Sequence, residues 1–250
     1  GGRDQESLDE VKMRAKREMR AQQRAVTSED YEDLCRAASR TVARAKCNRA
    51  SGSSKELSPG VIEMLVVPAV YESLRTGDLS KLALEQPLIK EIRAHLDKYR
   101  LLTTILRIRE PGYLGIKVKA EIVANELSQP AVVRSNVLER IKEYLSPLSI
   151  GPEEEKTEVF GSKWEGWPFG RGLFVSEIFS LIQKVPGVRH VLDVKVSYKE
   201  IDPRELTPLA ELEGEGDLEE NLTALTQRML SVPNDTLLCS LKHEIEVVDL

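Results

Sequence analysis

Apolar residues recur along this chain in two rhythms, one helical and one alternating, and the change of rhythm outlines its elements. Leu8, Val11, Ala15 and Met19 fall at helical intervals, so residues 7–23 are predicted to form a helix with a narrow apolar stripe. A second helix follows, with Tyr31, Leu34 and Cys35 at spacings that share one side. Thr27 or Ser28 can cap it. Glu29 and Asp30 then lie in its first turn, where the positive end of the helix dipole favours carboxylates. Residues 42–47 read as a short strand and 50–59 as a Ser/Gly-rich loop. The β-branched run 61–67, ending before Pro68, suits a buried strand. Residues 88–101 read as an amphipathic helix with Pro87 near its start.

The next block is more regular. Residues 103–109 read as a strand, and Pro111-Gly112 as a turn. Leu114, Ile116, Val118, Ala120 and Ile122 alternate with Lys117, Lys119 and Glu121, which predicts a strand with one buried and one solvated face. Residues 130–145 form a helix with Val133, Val137, Leu138, Ile141 and Leu145 inward, ended by Pro147. After a loop over 149–171 come a helix (173–185), a Pro186-Gly187 turn and a strand (188–198). The acidic stretch 202–220 reads as a linker, 221–230 as a short helix, and 244–248 as a terminal strand.

This order predicts an α+β protein of small mixed sheets with helices packed on one face. At least two subdomains are expected: a helical/α+β unit over 1–100 and a second α+β unit over 101–202. An acidic linker and terminal strand complete the chain over 203–250.

Composition narrows the function classes. The 250 residues are 41% hydrophobic and 31% charged, as in a soluble globular protein. The longest apolar run, 61–71, is broken by Glu63 and Pro68, far short of the roughly 18 residues of a membrane span. No direct membrane insertion is expected. Three cysteines are too few and odd in number for a disulfide framework, which favours a reducing compartment. A formal charge of -5 argues against a dedicated nucleic-acid binder. Charge is nevertheless uneven: residues 1–50 hold 12 Lys/Arg against 9 Asp/Glu, and residues 200–250 hold 3 against 13. The basic first helix (Lys12, Arg14, Lys16, Arg17, Arg20, Arg24) is interleaved with acids and lacks aromatic stacking partners. It therefore reads as solvated or protein-facing, and no nucleic-acid partner is expected. The chain starts with Gly1-Gly2 and is expected to begin inside a longer product.

Catalytic signatures are missing from the sequence. Cys239 and His243 have a spacing that supplies two metal ligands, without the third and fourth that a zinc site needs. Glu29, Asp30, Glu32 and Asp33 are explained by a helix first turn. Gly161 and Gly166 have P-loop spacing but lack the Lys-Ser/Thr that must follow. No catalytic residue, cofactor or metal is therefore assigned.

The segment 160–174 is richer. It holds Phe160, Trp164, Trp167, Phe169 and Phe174, five of the chain's 12 aromatics, with four glycines, Pro168 and Arg171. Such rings either plug a core or anchor a partner, since Trp, Phe and Arg are hot-spot residue types. Both roles can coexist, with Trp167 inward and Trp164 or Arg171 outward. A second reading makes Trp164, Trp167 and Arg171 the lining of a pocket for a small anionic ligand, in a cytoplasmic enzyme or binding protein.

Gly166-Trp167-Pro168-Phe169-Gly170-Arg171, preceded by Tyr144-Leu145-Ser146-Pro147-Leu148, resembles the baseplate J-like proteins. These are wedge components of contractile phage tails and phage-tail-like contractile injection systems. Other motifs in the same order are similar to that family's C-terminal portion. They are Gly1-Gly2-x-Asp4-x-Glu6-Ser7-Leu8, Arg24-Ala25-Val26-Thr27-x-x-Asp30-Tyr31-Glu32, Val42-Ala43-Arg44-Ala45, Pro186-Gly187-Val188 and Leu238-Cys239-Ser240-x-x-His243-Glu244-Ile245. Two features depart from the pattern: the family's Pro-Leu-x-Gly-Gly turn stands as Pro147-Leu148-Ser149-Ile150-Gly151, and an acidic insertion fills 152–163. The resemblance implies a structural, non-enzymatic part that joins copies of itself and other wedge proteins into a ring around the central spike and hub. The ring connects to sheath-proximal proteins and rearranges on firing. Assembly in the cytoplasm, then residence in a virion or tail-like particle, is the implied location. Trp164, Trp167, Phe169, Arg171, Arg24 and Tyr31 are the candidate interface residues.

Overall fold

The computed structural model of the protein describes residues 11, 24–48, 60–151, 164–206 and 222–248. The first predicted helix, apart from Val11, lies outside them, as do the loop 50–59, the insertion 152–163 and most of the acidic linker.

Thr27 caps α1 (Ser28–Ala38): its side chain accepts from Asp30 N, and Asp30 accepts from Thr27 N at 2.8 Å. This reciprocal box meets amide groups that the first turn leaves unpaired. β1 (Val42–Asn48) pairs antiparallel with β2 (Val61–Pro68), and β2 pairs parallel with β3 (Ile105–Arg109). β3 therefore completes the first sheet, although the sequence reading put it in the second unit. Between them run α2 (Tyr71–Thr76), a 3-10 turn (Leu79–Leu82) and α3 (Gln86–Leu96). The sequence reading passed over the first two and ran the third to residue 101.

α1 and α3 pack on one face of this sheet, burying Tyr31, Cys35, Ile92 and Leu96 against Val42, Ala45, Met64 and Val66. The other face of β2 places Val67 with Leu74, Leu79 and Leu82. Burial on both faces explains the continuous apolar stretch Met64, Leu65, Val66 and Val67 within β2.

The second sheet is built on β4 (Gly112–Ala124), which begins at the predicted turn residue Gly112. It pairs antiparallel with β6 (Val188–Ile201) along nearly its whole length. Leu114, Ile116, Val118, Ala120 and Ile122 face α4 (Pro130–Tyr144) and α5 (Val175–Gln183), as the alternation predicts. Residues 173–174 are not helical but form β5 (Leu173–Phe174).

The C-terminal region departs most from the sequence reading. Where a helix was expected over 221–230, the described residues 222–230 form none; β7 (Thr223–Ala224) pairs with β6, and β8 (Met229–Leu230) pairs with β5. Backbone pairing to existing strands outweighs a weak local helix preference. Two strands, β9 (Thr236–Ser240) and β10 (Glu244–Val247), then lie end to end along one edge of β4, both parallel to it. The architecture is α+β, with mixed helices and small mixed sheets.

A third core joins the two units. Val67, Leu74, Leu79 and Leu82 meet Tyr113, Ile201, Leu237, Cys239 and Leu241. The face of the second sheet away from α4 and α5 is therefore covered at the start of β4 and, among the described residues, bare further along, where Lys119, Asp193 and Lys195 stay open to solvent.

Candidate functional site

The tryptophan loop is held where these parts meet. Trp167 is fully buried in the second unit's core. Its backbone N donates to Ser146 O at 2.7 Å, and its indole Nε1 donates to Arg171 O at 3.0 Å. A buried indole needs such an acceptor. Tyr144 presents its ring edge-on to Trp167 at 5.2 Å and stacks with Trp164 at 5.7 Å. The Arg171 guanidinium lies 4.8 Å from the Trp167 ring centre and pairs with Glu177 at 2.5 Å. Burial pushes the Tyr144 phenol up, while Arg171 opposes the shift.

Two glycines shape the loop. Gly166 has φ +109, and a Cβ there would meet Pro147 O at 2.6 Å. Gly170 has φ +67, and a Cβ would lie 2.8 Å from the Asn234 backbone. Left-handed backbone and close approach both require glycine here.

Arg44 ties this loop to the first sheet. It reaches from β1 and donates through Nη1 to Pro147 O at 2.6 Å and Trp167 O at 2.9 Å. Its guanidinium sits 4.9 Å over the Phe169 ring. Burial pushes its pKa down, and the charge of Glu165 pulls it back. A second tie is Arg109 of β3, which bonds Glu63 at 3.0 Å and Asp235 at 2.8 Å. Burial works to raise the Glu63 carboxyl, but hydrogen bonds from Arg109 and Asn48 hold it low.

His243 fills the gap between β9 and β10. Val118 N donates to its Nδ1 at 3.1 Å, so Nε2 carries the proton and donates to Ser240 Oγ at 2.8 Å. Burial, with Lys142 and Lys117 nearby, lowers its pKa to about 3. Both ring nitrogens are thus engaged within the fold. Cys239 is buried in the third core, which pushes its thiol pKa up. Among the described residues no three His, Cys, Asp or Glu side chains converge as a metal site.

The candidate residues divide. Trp164, Trp167, Phe169 and Arg171 come together. Trp167 is in the core, and the other three are partly exposed. Tyr31 is buried in the first unit, and Arg24 is exposed. The acidic cluster serves structure: Glu32 accepts from Cys47 N at 2.9 Å and Asp33 pairs with Arg36 at 2.6 Å. A groove of about 680 Å³ is lined by Arg75, Leu138, Lys142 and Ile150 and by none of the loop's rings.

Sequence reasoning passed over Arg44, Tyr144 and Glu177 as members of the site. A signal existed for the first two, because Arg44 and Tyr144 belong to separate motifs of the resemblance. The fold brings those motifs together: residues 42–45, 144–148 and 166–171 meet through Arg44 and Gly166.

No protein-family model matches the chain. No curated protein matches it. A solved structure with a similar fold is the cryo-EM structure of the anti-feeding prophage (AFP) baseplate, 6-fold symmetrised. The TM-score is 0.56 at 14% sequence identity, over 98% of this chain and 43% of that chain. The protein thus spans less than half the length of that baseplate chain.

Proposed function

We propose that the protein is a structural, non-enzymatic wedge component of the baseplate of a contractile tail or contractile injection system. The observation that carries this reading is the fold shared with an anti-feeding prophage baseplate chain across 98% of the present chain. The ordered motifs that resemble baseplate J-like proteins support it independently. In this reading the protein joins other copies and neighbouring wedge proteins into a ring around the spike and hub. The ring contacts sheath-proximal proteins and transmits the trigger to contraction. The protein then resides in a virion or tail-like particle. Trp164, Phe169 and Arg171 are partly exposed and are the loop residues we assign to a neighbour, with Trp167 positioning them from within.

The test is deletion of the gene in producing cells, followed by electron microscopy and mass spectrometry of purified particles. Loss of sheathed, baseplate-bearing particles, with recovery on complementation, is expected. Complete particles without the protein, or its absence from wild-type particles, overturns the proposal.

A further inference from the structure

Arg44 reaches from β1 into the seam between the two units and is partly exposed there. Among the described residues, no acidic side chain forms an ion pair with it. Both of its hydrogen bonds leave through Nη1, to Pro147 O and Trp167 O, which are neutral carbonyls. Nε and Nη2 donate to no described residue. They form the edge of the guanidinium whose two parallel donors match the two oxygens of a carboxylate.

The surroundings leave that edge with an unmet charge. The Phe169 ring lies 4.9 Å from the guanidinium, and burial disfavours the cation. The ionisable groups whose charges act on it are Glu165, Tyr113 and Tyr71. Tyr71 and Glu165 are exposed, so solvent reaches this part of the seam. Tyr113 is 2% exposed, and its hydroxyl is buried without a hydrogen-bond partner. A desolvated cation and an orphan hydroxyl each cost free energy until something accepts from them. Water accepts hydrogen bonds but brings no charge to balance a guanidinium.

We propose that the open edge of Arg44 is a binding site for a carboxylate. Its two oxygens take Nε and Nη2, and the Tyr113 hydroxyl supplies a further donor. A monoanion suits the place better than a phosphate dianion, because Glu165 already brings negative charge to it. A free organic acid and an Asp or Glu side chain of a partner offer the same chemistry. The inference stands on these residues and not on the baseplate reading.

The experiment follows thermal unfolding of the whole chain in acetate, acetamide and chloride at constant ionic strength. Acetate is expected to raise the melting temperature over chloride by about 2 °C or more, in a saturable way. Acetamide, the neutral isostere, is expected to add nothing. Arg44→Met is expected to abolish the acetate shift. Where that variant fails to fold, Arg44→Lys replaces it; it keeps the charge but not the fork, and a weaker shift is expected. Tyr113→Phe removes only the orphan hydroxyl and is expected to shrink the shift, whereas Glu165→Gln removes a competing charge and is expected to enlarge it. An end-blocked alanine peptide with one central glutamate separates the two sources. A shift with peptide and acetate alike assigns the site to a partner's side chain, and a shift with acetate alone assigns it to a free acid. No acetate-specific shift, or one that survives unchanged in the Arg44 variant, overturns the inference. A lower melting temperature for Glu165→Gln without any acetate effect also overturns it, by making Glu165 the partner of Arg44.

Discussion

The tryptophan loop and the bare sheet face invert the usual link between residue type and position. The loop holds the large rings and arginine that typify interfaces, yet its central ring is fully buried and its arginine pairs with Glu177. The sheet face holds short rows of Lys, Glu and Asp, the residue types of an ordinary solvated surface, yet its charges form an ordered pattern. The difference teaches that hot-spot composition marks where energy is concentrated, not which side of the surface it serves. In the loop that energy joins parts of one chain.

The largest break in the comparison comes from Trp167→Ala. Removing a fully enclosed indole is expected to lower stability by about 3–5 kcal/mol, read from thermal or urea unfolding. A near-neutral result with lost particle assembly would move Trp167 to the interface side. Arg44→Met follows. It leaves Pro147 O and Trp167 O without their donor, for an expected loss of about 1.5–3 kcal/mol in urea unfolding. A loss below about 0.5 kcal/mol would mean the loop holds its place without the first sheet.

The His243 prediction concerns pH. Its folded pKa of about 3 lies below the ordinary 6.5, so between these values the unfolded chain binds the proton and the folded chain does not. Stability therefore falls as pH drops from 6.5 toward 3, by at most about 1.4 kcal/mol per unit from this group. Unfolding of His243→Gln across that window is expected to show a shallower slope; an unchanged slope would remove His243 from the acid response. The smallest effect belongs to the bare face. Glu121→Gln relieves the like charge of Asp193 opposite it in the β4–β6 pairing. It is expected to shift stability by no more than about 0.5 kcal/mol, upward if at all. A loss above about 1 kcal/mol would show that the face is not free in the monomer.

Much of the second unit was legible. The alternation in β4 named the residues that face the helices, and the apolar spacing over 130–145 matched α4 to within a residue. The capping box at Thr27 and Asp30 was visible as a cap and a first-turn acid. The C-terminal strands were less legible. β7 and β8 span two residues each, too short for any periodicity to register. β9 was missed because its residues are buried on both faces, which erases alternation. Within the site, the loop's aromatics were conspicuous, but Arg44 was not, since its acceptors are carbonyls more than 100 residues away.

By itself the sequence determined what local chemistry determines: the capped helix α1, the two faces of β4, the inward side of α4 and the turn at Gly187. Each depends on neighbours a few residues apart, whose spacing is printed in the chain. The tertiary structure alone decided that Trp167 points inward and that Arg44 clamps its loop. It also decided that His243 completes the edge of β4 and that Lys119 and Lys195 stand two residues along from Glu121 and Asp193 on one sheet face. Those outcomes rest on pairings between distant segments, and side-chain type carries no record of which distant backbone will supply its partner.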